Sequence, residues 1–417
     1  MPAVTRALPP DPRPDPTPAA DGAPSRGAER ALMLLGLLTF LHIGGVQALY
    51  GPSFGALQAR YAIGVAEVGT SVSAHFGGAF VSTLFAGAVL ARFGYRPALL
   101  ASSVLVGVGS VGIAFAPTWG GALAGSLLVG LGYGLAVVLY NFLFARVFAA
   151  RGAAAVNLIN GTFGVGAVLS PALVALATTL MDVGGDARGG AVTAVVFGGS
   201  ALLAVAVAVQ VVRTPWLPPV LGTSTSAARA ALEVGVVVLF CALFFVYVAV
   251  EVGTTAWAPT HLAEQVGAAR AALAASVFWV AMTLGRFGAA ALGGRAKPRD
   301  IVVACVLVGL VGVGIAHLPG LALVGYGVAG LALGPVFPSG VAWVQRRFGT
   351  RAERVGPFVI AAGNLGPVVG APAIGIAAAA AGPEAIPSVL AIVLAVLLAI
   401  VALAWANTRR HEARLAT

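Results

Sequence analysis

One acid stands deep inside an otherwise apolar stretch of the chain: Glu251, in VYVAVEVGTTAWAPTHL. A charge at such depth in a membrane costs at least about 2.5–3.5 kcal/mol on insertion scales. Glu251 must therefore face the inside of a bundle and hold either a partner or a proton. A static ion pair locking two helices is one reading; a carboxyl that takes up and releases a coupling proton is the other. Arg286, in FWVAMTLGRF, is the only base placed within an apolar run. Its burial demands a counter-charge or a wet cavity. It is read as a salt-bridge partner of Glu251 that breaks in turnover, as a receptor for an anionic group, or as a side chain snorkelling to the nearby basic loop. Glu251 and Arg286 are together the candidates for proton coupling.

A second set of residues is polar but uncharged. Gln47, Asn141, Asn157, Asn160 and Asn364 interrupt apolar runs, and amides offer both donors and acceptors. Asn157 and Asn160, three apart, share a helix face. Such a set suits the hydroxyls of a sugar. Against this stands ordinary interhelical hydrogen bonding, worth about 0.6–2 kcal/mol in membranes. His42 and His75 can relay protons near neutral pH or simply pack, and Trp257, Trp279 and Tyr50 can stack on a pyranose ring or anchor at the interface. No catalytic constellation accompanies these residues. The histidines (His42, His75, His261, His317, His411) have no metal-ligand spacing, and no GxxxxGK[ST] phosphate loop is present. No metal, no cofactor and no enzyme activity are expected.

The elements that must position these side chains follow from hydropathy. The chain is 59% hydrophobic and 9% charged, with mean hydropathy +0.98; a soluble domain carries about 25% charged residues. Apolar runs of about 20 residues fall near 31–54, 67–90, 98–116, 118–145, 154–181 and 190–212, and again near 232–261, 270–292, 301–318, 320–345, 355–381 and 385–407. The reading is an all-α membrane protein of twelve transmembrane helices. Residues 1–29 form a disordered cytoplasmic tail, 30–212 the first six-helix half, 213–231 a cytoplasmic linker, 232–407 the second half and 408–417 a cytoplasmic tail. With both termini in the cytoplasm, the net charge of +10 resolves into basic inner loops. Only Arg60, Arg188 and Arg270 then lie on the outer side. That scatter excludes a nucleic-acid face. Cys241 and Cys305 sit in apolar runs and make no disulfide framework.

Four matches at one offset reveal a duplication. VLVGVGSVGIAFAP from Val104 returns as VLVGLVGVGIAHLP from Val306; Arg92 and Arg96 return as Arg295 and Arg299; Arg146, Phe148 and Arg151 return as Arg346, Phe348 and Arg351; and GTFG at Gly161 returns as GNLG at Gly363. The two six-helix halves thus repeat in parallel orientation. The glycines at 130, 132 and 134 read as packing positions in the fourth helix.

This pattern resembles the major facilitator superfamily. GAVLARFGYR, from Gly87 to Arg96, matches the family's loop after helix two at Gly87, Arg92, Gly94 and Arg96, while Ala91 stands where the family has an acid. GLGYGLAVVLYN ending at Asn141, NLINGTFGVGAVLSP from Asn157, and the stretches carrying Glu251, Trp257, Trp279 and Arg286 resemble the fucose–proton symporter-like sugar transporters. The resemblance implies a proton-coupled carrier of a small polar solute, a sugar, working by alternating access in the inner membrane as a monomer among lipids. An arginine in helix eight also occurs in monocarboxylate and oxalate carriers, so an organic-anion or drug carrier is the competing reading; a non-transporting sensor or scaffold is the third. Arg92, Arg96, Arg295 and Arg299 are expected to govern the inner gate.

Overall fold

An apolar run in lipid has no water to satisfy its peptide groups, so it folds as helix. The computed structural model describes residues 25–148, 152–181, 185–218, 233–291 and 296–416, and 12 helices in it are long and apolar enough to cross a membrane. They are α1 (Arg26–Tyr61), α2 (Thr70–Phe93), α3 (Tyr95–Phe115), α4 (Trp119–Val147), α5 (Gly152–Leu180) and α6 (Gly185–Arg213) in the first half. The second half holds α7 (Val234–Val266), α8 (Ala268–Ala291), α9 (Pro298–Ala316), α10 (Ala322–Phe348), α11 (Ala352–Ala381) and α12 (Ala385–Ala416). Large apolar side chains such as Leu202, Phe287 and Leu180 remain exposed, as a lipid-facing surface requires. The chain is a multi-pass membrane protein.

Helix ends depart from the hydropathy reading where local chemistry extends them. α1 begins at Arg26, inside the stretch read as tail, because the Ser25 hydroxyl accepts a hydrogen bond from the Ala28 amide at 3.2 Å. α12 runs on through the polar segment read as a second tail, and there Glu412 meets Arg299 at 2.6 Å. Between α2 and α3, Gly94 adopts φ 78°, a conformation that disfavours a Cβ, and the chain reverses within one residue.

Within each half, glycines bring helix backbones into contact. A Cβ on Gly130 or Gly134 of α4 would enter the backbone of α2 at His75 and Ala79. A Cβ on Gly330 or Gly334 of α10 would enter α8 at Phe278 and Met282. Likewise Gly166 of α5 packs on Leu41 and Gly45 of α1, and Gly366 of α11 on Phe245 and Ala249 of α7. The duplication seen in the sequence is therefore a duplication of packing. It also sets the register between the halves: Gly45 corresponds to Ala249, so Gln47 corresponds to Glu251. Ala79 corresponds to Met282, so Thr83 corresponds to Arg286.

Candidate substrate and proton-coupling site

The charged part of the site is built by three helices of the second half. α7 carries Tyr247 and Glu251 one turn apart, on one face, and Glu251 is only 9% exposed. From α8, the half-buried Arg286 donates through Nε to the Gly334 carbonyl of α10 at 3.2 Å and through Nη2 to Met282 Sδ at 3.3 Å. The Tyr247 hydroxyl donates to the Leu333 carbonyl at 3.2 Å and also interacts with the side chains of both Glu251 and Arg286. Among the described ion pairs none joins Glu251 to Arg286 directly. Tyr247 stands between them. Tyr133 of α4, from the opposite half, lies within the field of both charges.

The facing surface of the first half is polar without being charged. The His75 ring is fully buried, with the rings of Tyr50, Phe76 and Tyr133 at 5.2, 5.0 and 5.1 Å. Among the described residues neither of its nitrogens has a hydrogen-bond partner, nor do Gln47 Oε1 and Trp279 Nε1. A belt of rings continues from Tyr133 to Phe163 at 6.4 Å and on to Trp279 at 6.0 Å, crossing from one half to the other. Gln47 lines a cleft between α1, α2 and α7 with Tyr50, Phe76 and Thr255. Buried polar atoms normally find partners, so this cluster departs from the rule and faces the centre of the molecule with unsatisfied donors and acceptors.

Other residues singled out by sequence lie apart from that cluster. His42 Nε2 bonds the Ser200 hydroxyl at 2.9 Å, which meets Ser110 at 3.0 Å, all within the first half. Asn160 donates to Asn141 Oδ1 at 3.0 Å, joining α5 to α4. Asn364 donates to Thr83 at 3.3 Å across the two halves. Trp257 is buried against Phe54, with ring centroids 4.9 Å apart, and donates to the Ala371 carbonyl at 2.9 Å. The side chain of Asn157 and the whole of Arg295 lie outside the described residues. Arg92 is exposed, its guanidinium 5.6 Å from the Phe93 ring. Arg96 donates to the carbonyls of Val211, Val212 and Thr214 at 2.9, 2.9 and 2.7 Å, closing the end of α6. Arg299 pairs with Glu412 on α12. Arg96 and Arg299 thus brace their own halves, α3 to α6 and α9 to α12.

Tyr247, Tyr133 and the carbonyls of Leu333 and Gly334 escaped the sequence reading. The signals were Tyr247 four residues before Glu251, and the spacing of Pro335 and Pro338 within α10. Pro338 withholds an amide hydrogen from the helix, which leaves the Gly334 carbonyl free to meet Arg286.

The halves meet closely at the end away from the termini. Gly51 of α1 lies so near Thr255 and Ala256 of α7 that a Cβ would strike their backbone, and Phe54 covers Trp257 beside it. Toward the middle, Ser73 donates to the Val368 carbonyl and Ser276 to the Val168 carbonyl, both at 2.8 Å. Asn364 on Thr83 adds a further hydrogen bond between the halves.

The family model described as Major Facilitator Superfamily matches residues 35–354 and 239–417. No curated protein matches the chain. Among solved structures, a D-xylose–proton symporter is 15% identical with TM-score 0.77, over 90% of this chain and 97% of its own. The nucleoside transporter NupG is 15% identical with TM-score 0.69, over 91% and 98%. The transporter FucP in its outward conformation is 17% identical with TM-score 0.62, over 91% and 99%. Likeness at this level of identity is likeness of fold.

Proposed function

The chain belongs to the Major Facilitator Superfamily, and from that premise we propose that it is a secondary carrier coupling a proton to the movement of a small, neutral, sugar-like solute. The observation that carries this reading is the division of the central site. On the second half, Glu251 and Arg286 share Tyr247, so protein charge compensates protein charge. On the first half, His75 and Gln47 hold buried polar atoms without partners, and Trp279 adds another from α8. A solute with hydroxyls satisfies such atoms and brings no charge of its own. A D-xylose–proton symporter and a nucleoside transporter share this fold, which agrees with a solute of that kind.

In this reading Glu251 carries the proton, Arg286 and Tyr247 respond to its charge, and Gln47, His75 and Trp279 contact the solute. The termini lie in the cytoplasm of a cell whose inner membrane holds the protein. The contact of Gly51 with Ala256 closes the outer side, and the two halves rock about the central site. The test is uptake into proteoliposomes under an inwardly directed proton gradient, with a panel of neutral sugars and of carboxylates. Accumulation of a sugar and none of the carboxylates is expected. Accumulation of a carboxylate alone would transfer Arg286 to the role of anion receptor and overturn the reading.

A further inference from the structure

The fourth and fifth turns of α10 contain one proline each, and each removes one helical hydrogen bond. Pro335 has no amide hydrogen for the Leu331 carbonyl four residues back, and Pro338 has none for the Gly334 carbonyl. The hydrogen-bonded helix breaks at Gly334 and Pro335, between Leu333 and Val336, but their dihedrals stay right-handed: φ,ψ are −52°,−47° and −73°,−15°, and the Ser339 amide reaches the Pro335 carbonyl at 3.0 Å. The two freed carbonyls both turn to α8. That of Leu331 lies against Gly285, where a Cβ would strike it, and that of Gly334 accepts the Arg286 Nε at 3.2 Å. A half-buried guanidinium needs acceptors for its donors, and this carbonyl offers both lone pairs, one of which a regular helix would have used.

Resting on the reading above, we propose that Pro338 is a positioning residue for proton coupling: it keeps the Gly334 carbonyl open as a second acceptor for Arg286, which passes between that carbonyl and Glu251 as Glu251 gains and loses its proton. When Glu251 is protonated it no longer holds a cation, and Arg286 rests on Gly334 and Met282, the arrangement seen here. When the proton leaves, the carboxylate draws the guanidinium toward α7 across Tyr247. The titratable or charged groups facing Arg286 among the described residues are Glu251 and Tyr247 on α7 and Tyr133 on α4. α10 presents the carbonyls of Leu331 and Gly334, and α5 presents Gly164 to the neighbouring Thr283. Among the described residues no further charge is found beside Arg286.

Restoring an amide hydrogen under the Gly334 carbonyl tests this directly. In Pro338→Ala that carbonyl gives one lone pair to its helical bond and becomes a poorer resting acceptor, so Arg286 stays with Glu251. Protonating Glu251 then means displacing a cation that has a poorer place to go. Infrared titration of the purified full-length protein reads this as the protonated-carboxyl band that Glu251→Gln removes. The midpoint of that band is expected to move to lower pH by about one unit, roughly tenfold in proton affinity. Pro335→Ala makes the same kind of change under Leu331, which faces Gly285, and is expected to leave the midpoint where wild type has it. Pro338→Ser also restores the hydrogen and serves if the alanine variant folds poorly. A Pro338→Ala band titrating with wild type, or an equal shift in Pro335→Ala, would overturn the proposal. The titration requires no solute, so a wild type that transports no sugar would sink the transport reading while leaving this result to be judged separately.

Discussion

The two halves share one scaffold and differ at its corresponding points. Gly130 and Gly134 set α4 on α2 as Gly330 and Gly334 set α10 on α8, and Gly166 and Gly366 seat α5 and α11 on the first helix of each half. On that common frame Gln47 faces the centre where the second half has Glu251, and Thr83 stands where it has Arg286. In the proposed function, duplicated packing with diverged chemistry separates two tasks, uncharged recognition in the first half and charge movement in the second. The same contrast holds at the periphery, where Arg96 and Arg299 begin corresponding helices but stitch different partners, backbone carbonyls in one half and Glu412 in the other.

The sharpest way to break this contrast is to neutralise the second half. Glu251→Gln imitates the protonated acid and cannot release a proton, so uphill accumulation in proteoliposomes is expected to vanish while solute exchange persists. Undiminished accumulation would remove Glu251 from coupling. Next in size is Arg286. Lysine there keeps a cation beside Glu251 and is expected to hold sugar affinity within a few-fold, whereas Arg286→Ala leaves the acid uncompensated and is expected to be nearly inactive. A strong loss of binding in the lysine variant would mean that the guanidinium fork itself grips the solute.

The shared scaffold predicts equal damage in the two halves. Gly130→Ala and Gly330→Ala each drive a methyl into a neighbouring backbone, at a cost of about 1–3 kcal/mol, and both are expected to lower the thermal unfolding midpoint. Gly87→Ala, with open space around it, serves as the control. Smaller again are Arg96→Ala and Arg299→Ala, expected to reduce rate or insertion without changing which solute wins a competition; an altered ranking in either would contradict their bracing role.

The smallest effect concerns Glu233, just before α7. The hydrogen bond from Arg347, with Arg347 Nη2 at 2.6 Å, holds its carboxyl below the ordinary value of 4.5. A lowered carboxylate stabilises the fold above that ordinary value and loses the contribution as pH falls through the folded value. Glu233→Gln is therefore expected to cost a little thermal stability at neutral pH and nothing at pH well below 4.5. A difference that persists in acid would point to packing instead.

Much of this was legible from residue order. Hydropathy located the spans, the repeated strings located the duplication, and the solitary Glu251 and Arg286 marked the charged centre because nothing else charged interrupts a span. Side-chain direction was not legible. A polar residue in an apolar run looks alike whether it turns inward, as His75 does, or bonds a neighbouring helix, as His42 does with Ser200. Tyr247 and Tyr133 pass in sequence as ordinary aromatic residues and gain meaning only from the charges beside them. The carbonyls of Leu333 and Gly334 have no side chain to announce them; the prolines near them were the only trace.

The central claim is that Glu251 couples a proton to the movement of a neutral solute. Solute-driven proton flux measures it most directly: a sugar gradient is imposed across proteoliposomes with no pH gradient, and the pH of the outer medium is followed in wild type and in Glu251→Gln. The account predicts that wild type moves protons with the sugar and that the glutamine variant moves sugar without protons. Proton flux of wild-type size in the variant, or sugar movement in wild type with no accompanying proton, would contradict it.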